Sequence, residues 1–296
     1  MPESRQLVAQ HLEARPVVSC RTILGESPLW SEQRQTLFWT DIHGRRLWAF
    51  EPARGTSRHW DLPDRLACMA LRRDGTLLAG FARSLAVFDP DSGRSETICA
   101  FEPDRPTTRA NDGRCDRQGR FLVGGLDEGD PQLPISSVWR LDADRSLHRL
   151  IPDVAIANSL CVSPDGRTLC MTDTPSRVIR AYDYDPATGG LGERRDFHRL
   201  PPGPGHPDGS VVDSQGYLWN AEYGGGRVVR YAPDGTVDTI VAVPTPNTTC
   251  PAFGGPDLTT LYITTAADGR PDDPLAGSLF AVEVDVPGLH EPHFAG

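Results

Sequence analysis

Several polar side chains stand just before apolar strands, in segments that a hydrophobic core would not otherwise accept. Glu26 lies in Gly25-Glu26-Ser27-Pro28-Leu29-Trp30, and Arg109 and Asn111 in Thr108-Arg109-Ala110-Asn111-Asp112-Gly113. Asn158 lies in Ile156-Ala157-Asn158-Ser159-Leu160-Cys161, and Asp208 in His206-Pro207-Asp208-Gly209-Ser210-Val211. Taken singly, each has a plain structural use: Glu26 and Asp208-Gly209 as turn residues, Asn158 as a cap. Taken together they offer carboxylate and amide oxygens, which suit a hard divalent cation such as Ca²⁺, Mg²⁺ or Mn²⁺ and leave positions for water and substrate. A cation held in that way polarises a carbonyl and lowers the pKa of a bound water. Arg109 and Asn111 have the hydrogen-bonding capacity for a hydroxyl-rich ligand.

Residues so far apart meet only if the fold brings equivalent strands to one place, and the sequence carries such a device. A polar turn followed by an apolar strand recurs at Leu37, Leu77, Phe121, Leu169, Tyr217 and Leu261. A second apolar strand follows in each repeat, as in Leu47-Trp48-Ala49-Phe50 and Val228-Val229-Arg230-Tyr231. A spacing of roughly 40 to 50 residues with several strands per repeat is the mark of propeller blades. The reading is therefore an all-β, six-bladed β-propeller whose strands converge on a central channel. Pro16 to Leu24 has no partner in its own repeat and is read as the outer strand of the last blade, closing the ring and covering a sheet edge. Residues 1–14 are then a tail, and 15–296 one domain. Two long connections, 126–134 and 200–207, are expected to form the rim of a pocket.

Bulk composition narrows the function. A net charge of −10 argues against a nucleic-acid surface, which needs a basic face. All 30 basic residues are arginine, which excludes Schiff-base or pyridoxal chemistry on a lysine. The charged N-terminus and the absence of a long apolar run point to a cytoplasmic protein without membrane contact, and a monomer is expected. Seven cysteines without a Cys-x-x-Cys pair suggest neither a zinc knuckle nor a disulfide framework. No Gly-x-Ser-x-Gly, His-Glu-x-x-His or Gly-x-x-x-x-Gly-Lys motif occurs.

The segments quoted above, with Gly225-Gly226-Arg227-Val228 and Thr248-Thr249-Cys250 followed by Phe253-Gly254-Gly255, resemble the senescence-marker-protein, regucalcin and gluconolactonase family. Its members are six-bladed propellers that hydrolyse sugar lactones with one divalent metal. The resemblance runs from about residue 23 to 265 in the family's order. It implies that Glu26, Asn158 and Asp208 bind one divalent cation (Ca²⁺, Zn²⁺, Mn²⁺, Mg²⁺ or Fe²⁺). It implies that Arg109 and Asn111 hold the substrate and that Asp208 also serves as the base. The acidic substrate contact falls at Asp127 or Glu128, with Glu128 preferred. Asp173 and His206 are read as supporting groups behind the ligands. Ser159 stands where the family usually has glycine. The implied substrates are pentonolactones (arabinono- or xylonolactone) or hexonolactones (galactono- or gluconolactone). An interaction propeller without catalysis, and a metal-dependent esterase on the same fold, are the competing readings.

Overall fold

The computed structural model describes residues 9–296 and is built almost wholly of strands; among the described residues the helical content is a single 3₁₀ turn, Thr174–Ser176. Six four-stranded antiparallel sheets form the blades, one of them extended by a fifth, parallel strand. Their innermost strands are Gly25–Ser31, Leu66–Leu71, Thr108–Cys115, Ala157–Val162, His206–Val212 and Thr248–Gly254, and each packs beside the next around a closed ring.

The recurring polar turn is the turn between the first and second strands of each blade. Its last residues take a positive φ at Gly75, Gly119, Gly166 and Gly216, where glycine meets no Cβ clash. Gln35 and Leu258 adopt the same conformation in blades one and six. The apolar strand after this turn, which carries Leu37, Leu77, Phe121 and Leu169, is the second strand of its blade. The polar residues therefore lie within the innermost strands themselves rather than ahead of them. Hydrophobic clusters fill the wedges between neighbouring blades, for example Leu29, Phe38, Met69 and Leu77 between the first two. Each such side chain contributes about 1.5–3 kcal/mol by leaving water.

The ring closes through an N-terminal strand, with narrower bounds than the sequence implied. Arg15–Val18 pairs antiparallel with Leu279–Glu283 as the outer strand of blade six, while Cys20–Leu24 is a loop leading into blade one. Gln10–Glu13, within the segment read as a tail, is a strand too. It pairs parallel with Val237–Ala242 and gives blade five a fifth strand. Residues 1–8 of that tail lie outside the described residues. Beyond Glu283 the chain crosses the face opposite the polar residues. There Phe294 N–H donates to Leu71 O (2.8 Å), Ala295 N–H to Gly119 O (2.9 Å) and Gly288 N–H to Leu258 O (2.8 Å).

Candidate active site

Every innermost strand breaks its pairing register near its start: between Glu26 and Leu29, Leu66 and Cys68, Ala110 and Gly113, Asn158 and Cys161, Pro207 and Ser210, and Thr248 and Pro251. A bulge turns side chains away from the regular alternation, which lets a strand buried on both faces present polar groups to the channel. Glu26, Asn111, Asp112, Asn158 and Asp208 all sit at or beside these breaks.

A continuous hydrogen-bonded chain joins the candidates. Arg109 Nε donates to Glu128 Oε1 (3.2 Å) and Arg109 Nη1 to Asn111 Oδ1 (2.8 Å). Asn111 Nδ2 donates to Asn158 Oδ1 (3.0 Å) and to Ala157 O (2.9 Å). Asn158 Nδ2 donates to Thr174 Oγ1 (2.9 Å), whose hydroxyl donates to Pro207 O (3.0 Å) beside Asp208. These bonds orient the Asn158 amide with its nitrogen toward Thr174 and its oxygen toward Asn111.

Three carboxyls lie close enough to disturb one another. Glu26, half-buried, is pushed up to about 8, by burial first and then by the Asp112 carboxylate. Burial, then Glu26, then Asp112 hold Asp208 well above the usual carboxylate range. Burial raises Asp112, with the hydrogen bond from Leu160 N–H and then Arg114 offsetting part of the effect. Crowded carboxyls with raised pKa values resist ionisation together, and a positive charge among them removes that resistance. The chemistry of the donor set is compatible with a divalent cation, for which Glu26 and Asp208 would supply carboxylate oxygen and Asn158 an amide oxygen. Among the described residues no group of three or more His, Cys, Asp or Glu side chains is arranged to hold a metal ion by itself.

The acidic contact left open between Asp127 and Glu128 separates cleanly. Asp127 is buried and serves its own loop, accepting from Leu133 N–H (2.8 Å) and Gly129 N–H (3.2 Å). Glu128 reaches Arg109 and also accepts from Arg65 Nη2 (3.0 Å). Asp173 accepts from Ile156 N–H (2.9 Å), holding the link into the strand that carries Asn158, as Asp41 does for Ile23 and Leu24 (3.0 Å each) in blade one. His206 lies against Arg177 Nη1 (3.4 Å), and burial and then that guanidinium lower its pKa.

Sequence reasoning passed over Asp112, Arg65, Tyr223 and His43. Asp112 was quoted beside Asn111 but given no role, although the register break between Ala110 and Gly113 allows successive side chains to depart from strict alternation. The Tyr223 phenol is raised by burial and then by Asp268 and Asp208, which puts it beside the carboxyl cluster. Burial, then Arg109 and Arg65, lower His43, which puts it near the Glu128 end. Neither residue belongs to a recognisable pattern in the sequence.

Known proteins resemble this chain along its length. Residues 24–267 match the family described as SMP-30/Gluconolactonase/LRE-like region. An L-arabinolactonase of Azospirillum brasilense is 42% identical over 96% of this chain and 96% of its own. A 6-deoxy-6-sulfogluconolactonase of Pseudomonas putida is 37% identical over 95% of this chain and 98% of its own. The crystal structure of a calcium-binding protein, regucalcin, from Agrobacterium tumefaciens superimposes with a TM-score of 0.92 at 30% identity, covering 97% of this chain and 99% of that one. The chain belongs to the SMP-30/gluconolactonase family.

Proposed function

We propose that this protein hydrolyses a sugar lactone to the open-chain aldonic acid, with one divalent cation held by Glu26, Asn158 and Asp208. The observation that carries the reading is the unbroken chain Glu128–Arg109–Asn111–Asn158, which links the groups suited to substrate hydroxyls to the amide read as a cation ligand. Likeness to an L-arabinolactonase over 96% of the chain favours a pentonolactone, arabinonolactone first, over a hexonolactone.

When bound, the cation supplies Lewis acidity to the lactone carbonyl and acidifies a water. Arg109 and Glu128 donate to and accept from ring hydroxyls, and Asn111 aligns Arg109 with the Asn158 amide. Asp208 takes a proton as the water oxygen bonds to the carbonyl carbon. The ring carbon–oxygen bond then breaks, and Asp208 returns the proton to the departing oxygen, which becomes a hydroxyl of the acid.

The seven cysteines are free thiols, which fits a reducing compartment, and the proposal places the protein in the cytoplasm acting as a monomer. No helix among the described residues is long and apolar enough to cross a membrane. The test is turnover of a lactone panel against a simple aryl ester, paired with elemental analysis of protein purified without added metal. Sugar-lactone preference with one bound divalent ion supports the reading. Preference for the aryl ester moves the assignment to an esterase, and no turnover of either leaves an interaction propeller.

A further inference from the structure

Ser159 directly follows Asn158 and has a φ of 60°, in the left-handed region where a Cβ crowds the backbone. It is wholly buried. Its hydroxyl donates to Asp208 O at 2.5 Å and accepts from Ser210 Oγ at 3.1 Å, and Asn220 Nδ2 approaches both Ser159 Oγ (3.1 Å) and Asp208 O (3.0 Å). One side chain therefore joins the strand of Asn158 in blade four to the strand of Asp208 in blade five.

A serine at positive φ that bonds to the next blade also follows the third candidate ligand, although its partner is not itself a candidate ligand. Ser27 follows Glu26, has a φ of 48°, and its hydroxyl accepts from Met69 N–H (3.1 Å) in the next blade. Thr249 Oγ1 donates to Gly25 O (2.5 Å), one residue before Glu26. There is little slack around Asp208 either, because a Cβ on Gly209 would lie 2.4 Å from Cys250 Sγ. Innermost strands of neighbouring blades share no backbone ladder, so bonds of this kind set the distance between them. Glycine would adopt the Ser159 backbone without strain, and strain retained at such a position points to a use for the side chain.

We infer that Ser159 is a positioning residue for the cation site, its hydroxyl fixing the separation of Asn158 and Asp208 so that both oxygens are set before a cation arrives. The inference rests on the reading of Asn158 and Asp208 as ligands. Ser159→Gly removes the hydroxyl and relieves the left-handed strain together, so its two effects have opposite signs. Metal-free stability, measured as Tm in chelator, stays level or rises. Affinity for Ca²⁺ or Mn²⁺, measured by titration calorimetry, falls by about 10- to 100-fold, the usual cost of removing a group that orients a ligand. Ser159→Ala keeps the strained backbone and loses the bond, so both Tm and affinity fall. In Ser159→Gly, kcat on a sugar lactone drops at limiting cation and recovers when the cation is raised, which a global packing defect does not reproduce. Equal cation affinity in the parent and Ser159→Gly overturns the inference alone. A parent that binds none of these cations overturns the cation reading, and the inference with it.

Discussion

Replacing Arg109 by Met separates its contribution to binding from its contribution to the fold. Arg109 is 3% exposed, and burial lowers its pKa despite the pull of Glu128. Its ionic partner is half-exposed and is shared with Arg65, so Glu128 keeps a guanidinium when Arg109 is gone. Replacing a whole buried ion pair by apolar groups is often neutral or stabilising by about 1–4 kcal/mol, and removing one partner costs about 3–5 kcal/mol only where it strands a buried charge, which Arg65 and the exposure of Glu128 prevent here. Against that stand the donors lost to Asn111 Oδ1 and Ala110 O (2.8 Å each), at about 1 kcal/mol apiece. The two nearly cancel, so Tm of Arg109→Met should stay within about 4 °C of the parent. Catalysis should not be spared. A charge-assisted bond to a substrate hydroxyl is worth about 1.5–3 kcal/mol, and kcat/KM for arabinonolactone should fall by about 10- to 100-fold. Turnover of a simple aryl ester, which has no hydroxyls to hold, should change little. Steady-state kinetics on both substrates, with a thermal melt, make the assay. Unchanged lactone kinetics in a folded variant would refute the substrate role, and a melt lowered by more than about 10 °C would show that Arg109 is chiefly structural.

Asp208→Asn removes a carboxylate from the crowded cluster; cation binding by calorimetry and lactone turnover should each fall by orders of magnitude, while the metal-free melt rises. A variant with parental metal content and turnover would mean that the site is misplaced. For pH, Glu26 has a folded pKa of about 8 against 4.5 when unperturbed, so the folded state holds its proton more tightly. Folded protein then binds more protons than unfolded between those values, and stability of the metal-free protein should fall as pH rises from about 4.5 to about 8. Asp208 acts in the same sense, and added cation should raise Tm more at pH 8 than at pH 5; a gain that shrinks as pH rises counts against carboxylate ligands. Deleting residues through Val18 removes the outer strand of blade six and should abolish cooperative unfolding, whereas deletion through Ala14 removes only the added strand of blade five and should lower Tm. Equal melts for the two truncations would remove the closing role of Arg15–Val18.

The number of blades was legible because one local requirement repeats. Each turn from first to second strand needs a residue at positive φ, and Asp-Gly or Gln-Gly supplies it in four repeats. The closing strand was legible by elimination, since Pro16 to Leu24 had no partner in its own repeat. Its limits were not legible, because the exposed half of an edge strand carries no burial pattern: Arg15–Val18 reads exposed, exposed, exposed, half-buried. Gln10–Glu13 was missed for the same reason, a short and mostly exposed strand added parallel to an edge. The C-terminal crossing was missed because a segment held by scattered backbone bonds has no periodicity to read.

Within the site, the strands were legible and the aim of their side chains was not. Alternation in a strand predicts that neighbours point to opposite faces. On that rule Asn111 and Asp112 cannot both serve the channel, and Asp112 was given no role. The bulge between Ala110 and Gly113 suspends the rule, and the raised pKa values of Glu26 and Asp208 both register Asp112 as a neighbour. Polar residues in a strand with no exposed face are therefore better taken as evidence of a bulge than as evidence of a turn. A regular strand would bury an unpaired carboxylate at a cost of several kcal/mol, whereas the bulge brings Asp112 Oδ2 to the Leu160 N–H of the next blade (2.8 Å). All six innermost strands carry the break, including Leu66–Leu71, which has no polar residue to display. The bulge thus belongs to the architecture of the channel, and the chemistry is set by which side chains occupy it.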